Sequence, residues 1–329
     1  MKRRIAYIFI ILQVLVAGAC GKPVEQQEDK PGGGGLVNPL HPGEEATLTV
    51  ATCNVLKPSG RRAEMSMDEL VVRKALANSI IETKADIIGF NELDETLISG
   101  GRYSIPAMCS TIKDFKWKLE WPNDVHGGST PPSYSYANGF AYNSAKLSLE
   151  ECGYVWLSKE EEQWYIKASS AYLNSGSPER TCLWARFTHL DTGKEFWLFV
   201  THLPTDSQGG SYNMARVVNS FAAHKAGTAP AILTGDMNSS PNSATYRALT
   251  SFWKDGNVSA DWGTLSGSST KYYYTIDVYS DGRTDRRIDH IMTRGCTASD
   301  YKRIIVTYSV DGVAWCPSDH LPVVATVKI

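Results

Sequence analysis

Polar and apolar residues alternate from Thr47 to Val50, and the pattern predicts a strand over 46–53 that ends at Asn54. Ser66 and Glu69 have the spacing of a capping box ahead of Leu70, Val71, Ala75 and Ile80, predicting a helix over 67–83. Ile87-Ile88-Gly89-Phe90 reads as a short buried strand that delivers Asn91 and Glu92 at its end. Residues 100–135, rich in Gly, Pro, Ser and aromatics, read as irregular, and Trp117, Trp121, Tyr134 and Tyr136 there suit a pocket or a core equally. Strands follow at 137–142, 147–156, 181–189 and 195–201. From Ser211 to Ala226, Met214, Val217, Val218 and Phe221 share one helical face. A strand at 230–235 ends at Asp236, a short helix begins near Pro241, and the last strands fall at 287–293, 302–308 and 322–328. No internal repeat is present. Many strands with few helices predict an α/β (α+β) chain: a four-layer αββα sandwich, two mainly antiparallel sheets face to face with helices outside.

The N-terminus follows a different rule. Lys2, Arg3 and Arg4 precede an apolar run from Ile5 to Val16, and Ala17-Gly18-Ala19 offers small residues directly before Cys20. A membrane span needs about 20 apolar residues, so 1–19 reads as a signal peptide. Small residues before a Cys resemble a bacterial lipobox, in which Cys20 would be acylated. Residues 20–45, with Gly32 to Gly35, read as a flexible tether, and 46–329 as a single domain. The chain is then exported, as an envelope lipoprotein held to the membrane by that anchor or as a soluble secreted protein. The glycine run is no phosphate loop, because neither strand nor helix flanks it.

Composition narrows the chemistry. At 42% hydrophobic and 21% charged the chain is an ordinary globular sequence, not collagen-like, coiled-coil or disordered. Net charge is −2, and removing the three N-terminal basic residues leaves −5. Nucleic-acid binders usually carry a basic balance, so duplex DNA is disfavoured as a partner. Cys53, Cys109, Cys152, Cys182, Cys296 and Cys316 show no metal-type CxxC spacing. Cys296 and Cys316, just outside adjacent predicted strands, are the first pair to test for a disulfide.

Apolar strands finish in polar clusters: Cys53-Asn54, Asn91-Glu92, Thr201-His202, Asp236-Met237-Asn238 and Asp289-His290, with Ser318-Asp319-His320 ahead of the last strand. Strand ends on one edge of a sandwich converge, so these groups share a cleft. Singly each is weak, since an Asn after a strand is ordinary turn chemistry. Together, in this order, they are specific.

The pieces "TCNVL" (52–56), "IIGFNELDE" (87–95), "FVTHL" (199–203), "LTGDMNSSP" (233–241), "RRIDHIM" (286–292) and "SDHLPV" (318–323) resemble the endonuclease/exonuclease/phosphatase superfamily, with its deoxyribonuclease I-like fold. The resemblance implies phosphoester hydrolysis by in-line attack of water, with one or two Mg²⁺ or Mn²⁺ ions. It makes Glu92, with Asn54 beside it and Asp319 nearby, the metal group, since hard cations take oxygen ligands. Asp236 and Asn238 match the pair that positions water and a phosphate oxygen. His320 would press on the phosphate as base or stabiliser, with Asp289 fixing its tautomer. His202 matches the second histidine, and the sequence leaves open which histidine is base and which acid. Arg180 matches a phosphate-binding arginine. Asn138 and Tyr142 in "YANGFAYN" match a substrate-contacting strand, although the acidic residue usual upstream is absent. His126, His189, His224 and His290 match no catalytic position, and His290 should point away from the cleft.

The resemblance leaves the substrate open. A small or headgroup-like phosphoester is favoured over nucleic acid, and the chain is expected to act as a monomer. The alternatives are a secreted metal-dependent nuclease and, in another class, a catalytically silent binding module on the same fold. The N-terminal reading carries its own test: the mature protein should fractionate with envelope membranes, and Cys20→Ser should release it or block its maturation. An unmodified Cys20 on a wholly soluble product, seen by mass spectrometry, would remove the lipid anchor.

Overall fold

Strand periodicity, which sends successive side chains to opposite faces, organises the molecule into layers. The computed structural model describes residues 39–56, 69–93, 117–120, 137–157, 180–205, 210–257, 287–310 and 312–329. In chain order these form β1 (Thr47–Asn54), α1 (Glu69–Glu82), β2 (Ile87–Leu93), β3 (Trp117–Glu120), β4 (Ala137–Asn143), β5 (Leu147–Trp156), β6 (Thr181–His189) and β7 (Glu195–His202). There follow α2 (Ser211–Ala226), β8 (Ala231–Asp236), α3 (Ala244–Thr250), β9 (Lys254–Asp255), β10 (Asp289–Arg294), β11 (Thr297–Arg303), β12 (Tyr308–Val310), β13 (Val313–Trp315) and β14 (Val323–Lys328).

Two six-stranded mixed sheets result. Sheet I has the order β11-β14-β1-β2-β4-β3, and sheet II the order β5-β6-β7-β8-β10-β9. Each sheet contains one parallel pair, β1 with β2 and β7 with β8, and a helix joins the two strands of each, as parallel crossovers require. The sheets pack face to face over Leu48, Val50, Ile87, Phe140, Phe187, Leu198, Val200, Ile232 and Ile291. On the outer side of sheet I, Leu76, Ile80 and Ile81 of α1 cover Ala51, Cys53, Ile88 and Phe90. Outside sheet II, Met214, Val218 and Phe221 of α2 cover Trp184, Phe199 and Leu233. The α/β sandwich anticipated from the strand pattern is therefore the architecture found, with four layers.

Three local expectations change. The strand expected at 302–308 lies instead at Thr297–Arg303, and Tyr308–Val310 pairs with Val313–Trp315 in a separate hairpin. The apolar run 304–308 drew the reading, whereas β11 is a polar edge strand half open to solvent, with a register shift between Ser299 and Lys302. Within the stretch read as irregular, Trp117–Glu120 pairs with β4; Trp121, Tyr134, Tyr136 and Cys109 lie outside the described residues. Cys296 and Cys316 are free thiols, as are Cys53, Cys152 and Cys182. The β11–β14 ladder runs from Thr297 opposite Lys328 to Arg303 opposite Val323, so Cys296 and Cys316 sit beyond its opposite ends.

One contact fixes the spacing of the sheets. Gly89 of β2 faces sheet II, and a Cβ there would collide with Thr234 Oγ1 and come within 3.2 Å of Val200 Cγ1. Glycine is needed here for close approach, not for its dihedral freedom. Gly89→Ala should therefore cost about 1–3 kcal/mol by overpacking, and adding Thr234→Ala should recover part of that loss. Urea denaturation of the two single variants and the double variant checks the coupling; costs that simply add would show that the sheets do not meet at this point.

Candidate active site

The site is the polar end of the inter-sheet core. Along β1, Leu48 and Val50 face inward, and two and four residues on come Thr52 and Asn54; along β2, Ile87 and Gly89 lead to Asn91. On sheet II, Leu198 and Val200 lead to His202, Ile232 and Thr234 to Asp236, and Ile291 back to Asp289. The register places His202 beside Asp236 and Asp236 beside Asp289, and Asn54 beside Asn91. The period of two that builds the apolar layers thus delivers the polar side chains into one layer at the carboxyl ends of both parallel pairs.

Two residues of the site are aimed by left-handed backbone, Glu92 off the inward parity and Asn238 just beyond the end of β8. Glu92 has φ 58° and Asn238 φ 46°, the left-handed region, at a cost on the order of 1 kcal/mol each. Glu92, which would otherwise point to the outer face, comes round so that Asn54 Nδ2 donates to its Oε1 at 3.2 Å. Asn238 donates from its side chain to His202 Nε2 at 3.0 Å and to the Leu203 carbonyl at 2.8 Å. Its backbone N–H donates to Asp236 Oδ1 at 2.8 Å.

The remaining contacts close the cluster. His320 Nδ1 lies 2.8 Å from Asp289 Oδ2, and its Nε2 is 3.7 Å from Asp236 Oδ2 and 4.0 Å from Asp319 Oδ1. His202 Nε2 is 3.4 Å from Asp236 Oδ2. Asn54 Nδ2 also donates to Asp236 Oδ2 at 3.1 Å. Ser318 Oγ donates to the Asn54 carbonyl at 2.7 Å and accepts from the His320 amide at 3.1 Å, tying the last loop to β1.

Electrostatics separates the two histidines. Burial works against a charge on His320, but Asp289 and Asp236, helped by Asp319, hold its pKa well above the usual range. His202 is pushed well below it by burial, by Arg180 and by His320. The neutral ring is consistent with Nε2 accepting from Asn238. Burial raises the Asp236 carboxyl to about 7; Asp289 and Glu92 act in the same direction, while His320 and the Asn238 amide oppose them.

Several assigned residues sit where the sequence put them, and others do not. His202, Asp236, Asn238, Asp289, His320, Glu92, Asn54 and Asp319 are brought together. The amide of Asn54, however, turns its nitrogen to the carboxylates, while its oxygen accepts from Leu56 N at 3.0 Å. It bridges Glu92 and Asp236 as a donor instead of presenting an oxygen to a metal. Tyr142 is not in the cleft. It packs edge-to-face in the inter-sheet core, 5.0 Å from the Phe187 ring, four residues along β4 from the site and so about 13 Å away. Asn138 is at the right end but turned into the wall: it donates to the Thr181 carbonyl at 2.9 Å and accepts from Asn91 Nδ2 at 2.8 Å. Arg180 is buried next to Thr181, with its charge felt at His202. His290 faces the opposite side of β10, its Nδ1 3.4 Å from Asp255 Oδ2 and its Nε2 3.1 Å from the Ser239 carbonyl. His189 lies at the far end of β6, 3.0 Å from Thr192 Oγ1. Residues 1–38, including Cys20, and His126 lie outside the described residues.

Asn91, Thr201 and Ser318 were named in the strand-end clusters but given no role of their own, and Thr181 was not singled out. The available signal was parity: counting by twos from Ile87 through Gly89 puts Asn91 inside, as counting from Val200 puts His202 inside.

The donor set suits a divalent cation. Asp236, Asp289 and Asp319 crowd around the His320 imidazole, with the Glu92 charge felt at Asp236, and the like charges on Asp236 are the strain that a hard cation relieves. Among the described residues, ligand atoms of Asp236, Asp289 and His320 lie within 4.8 Å of one another. The His320–Asp289 pair is engaged in its own hydrogen bond, and Glu92, Asp236 and Asp319 are the further carboxylates that could hold a metal.

Comparison with known proteins identifies the family and the fold. Residues 51–320 match the profile of the Endonuclease/Exonuclease/phosphatase family. No curated protein matches the chain in sequence. Among solved structures, an endonuclease/exonuclease/phosphatase family protein from Bacteroides thetaiotaomicron is similar at 22% identity and TM-score 0.64, covering 87% of this chain and 99% of that one. The mannosyl-6-phosphatase of Bacteroides thetaiotaomicron VPI-5482 is similar at 22% identity and TM-score 0.62, covering 85% and 99%. TDP2 of D. rerio, complexed with single strand DNA product, is similar at 16% identity and TM-score 0.56, covering 86% and 100%.

The left-handed backbone at Asn238 has a measurable signature. Asn238→Gly should keep stability within about 1 kcal/mol of the parent, since glycine adopts this conformation freely while losing the side-chain hydrogen bonds. Asn238→Ala should fall about 1 kcal/mol below the glycine variant. Urea melts that rank alanine above glycine would show that residue 238 is not held left-handed.

Proposed function

The chain belongs to the endonuclease/exonuclease/phosphatase family, and from that premise we propose that it is a metal-dependent phosphoesterase acting on a compact phosphoester. Members of the family are phosphoester hydrolases. The observation that carries the reading is the convergence in one layer of Glu92, Asp236, Asn238, His202 and the Asp289–His320 pair.

A Mg²⁺ or Mn²⁺ ion held by Glu92, Asp236 and Asp319 would act as a Lewis acid on a phosphate oxygen. Asp236 and Asn238 lie side by side and orient the attacking water for in-line displacement. His320, pinned by Asp289, faces the phosphate and offers positive charge and a proton at Nε2 as the leaving oxygen departs. His202 stays neutral, and its Nε2, accepting from Asn238 and lying 3.4 Å from Asp236 Oδ2, keeps those two side chains aligned. The balance is simple: the water oxygen gains a bond to phosphorus, the leaving oxygen loses one and takes the His320 Nε2 proton, and the water proton passes to the Asp236 carboxylate.

Compactness of the substrate rests on charge. Affinity for long nucleic acid comes from many Lys or Arg contacts to phosphate, and this chain is net acidic at −2. A sugar phosphate is supported by the mannosyl-6-phosphatase among its structural neighbours. A second reading, a metal-dependent nuclease, is favoured by the neighbour solved with single strand DNA product.

The test is one substrate panel with Mg²⁺: mannose 6-phosphate and other sugar phosphates, bis-p-nitrophenyl phosphate, sphingomyelin, single-stranded DNA and plasmid. Turnover is expected on the small phosphoesters, stopping with EDTA while circular dichroism is unchanged. His320→Ala and Asp236→Ala should each lower it by about 10³-fold, the scale of a lost acid–base group. DNA cleavage with the small substrates untouched would establish the nuclease. Parent rates no higher than those of the His320→Ala variant in every arm would leave a silent binding module.

A further inference from the structure

The half-sites come from different sheets: Glu92 and Asn54 from sheet I, His202, Asp236 and Asp289 from sheet II. Between them lies Asn91, fully buried. Its Oδ1 accepts from the Asp236 backbone N–H at 2.9 Å, and its Nδ2 donates to Asn138 Oδ1 at 2.8 Å and to the Thr201 carbonyl at 3.0 Å. These three bonds leave the amide one orientation, since a flip would set donor against donor at Asp236 and oxygen against oxygen at Thr201. The Asp236 amide, the strand's last, is thereby held by a side chain of the opposite sheet.

The neighbouring backbone is shaped to allow this. Gly235 has φ 149°, and a Cβ there would collide with the Thr201 carbonyl oxygen, the same oxygen that accepts from Asn91. Asn138 continues the bridge into sheet II by donating to Thr181, whose carbonyl also accepts from Thr201 Oγ1 at 3.0 Å.

We propose that Asn91 is a positioning residue for hydrolysis: by accepting the Asp236 amide while donating to Asn138 and Thr201, it holds the Asp236 carboxylate in register with Glu92 and Asn54. The inference rests on the phosphoesterase reading for its kinetic consequence but not for its structural one. Displacing a reacting group by about 1 Å costs on the order of 10²-fold in rate, and Asn91 is the side chain of sheet I that bonds directly to the Asp236 backbone.

The test uses the full chain and compares Asn91→Leu with Asn138→Leu, which breaks the same buried network but leaves the Asn91–Asp236 bond. Both should lower the urea midpoint to a similar extent. With Mg²⁺ and bis-p-nitrophenyl phosphate, Asn91→Leu should lower kcat by about 10²-fold with KM within about threefold, whereas Asn138→Leu should lower kcat by less than about tenfold. Equal kcat losses in the two variants, or a loss carried by KM, would make Asn91 merely structural and overturn the proposal. Should Asn91→Leu not fold, Asn91→Ser carries the same expectations. A readout independent of turnover is hydrogen exchange at the Asp236 amide, which should quicken at least tenfold in the Asn91 variant and less in the Asn138 variant. Unchanged exchange would overturn the bridge; quickened exchange in the Asn91 variant, with a parent that hydrolyses nothing, would overturn the phosphoesterase reading and leave the bridge standing.

Discussion

Burying amides and carboxylates between two sheets is tolerable only if every polar atom finds a partner, and that constraint governs the working end of this molecule. Over most of its length the inter-sheet space is filled by apolar side chains. At one end the same inward positions carry Asn54, Asn91, Asn138, Thr181, His202, Asp236 and Asp289, all buried. Their hydrogen bonds run across the gap as well as along each sheet, so satisfying them fixes how the sheets meet. The close approach at Gly89 and Thr234 sets the spacing one layer away. Packing and polar pairing therefore act on the same degree of freedom.

The order of effects follows from this. Hydrophobic burial supplies the drive to stack the sheets but is indifferent to small slides between them. Directional bonds from Asn91 to Asp236, Asn138 and Thr201 are not indifferent. Each contributes little net stability, about 1 kcal/mol, yet each is expensive to leave unmade. Strain is accepted in the same place: Leu56, Glu92 and Asn238, three of the non-glycine residues with positive φ, directly follow or end the strands that bear the site.

Much of this was legible in the sequence, for a definite reason. Apolar strands that stop at a polar cluster announce both the element and its functional end, and His202, Asp236 and Asp289 were read in that way. Parity read strictly would also have exposed Asn91. What the sequence could not supply was the direction of an amide. Asn54 and Asn138 are in the right layer, but which of their atoms faces the cleft depends on Leu56 N and on the Thr181 carbonyl. Tyr142 failed for a simpler reason: strand β4 runs antiparallel to β2, so the two ends of one short motif lie at opposite poles of the core. The edge strand β11 was misplaced because an edge needs no apolar run to be paired.

The two sheets repeat one plan. In sheet I the strands β14, β1, β2 and β4 are joined by antiparallel, parallel and antiparallel ladders, and in sheet II the strands β6, β7, β8 and β10 follow the same sequence of pairings. Each half carries its own helix and its own outer core, and neither holds the whole cluster of candidate site residues. The cleft is thus a seam between two like halves, not a cavity carved into one. In a seam the clustered side chains are fixed by the strands, so the sequence between strands is free to diverge without moving them. That freedom offers a physical account of how chains sharing this architecture at 16% to 22% identity include both a sugar phosphatase and a protein crystallised with DNA.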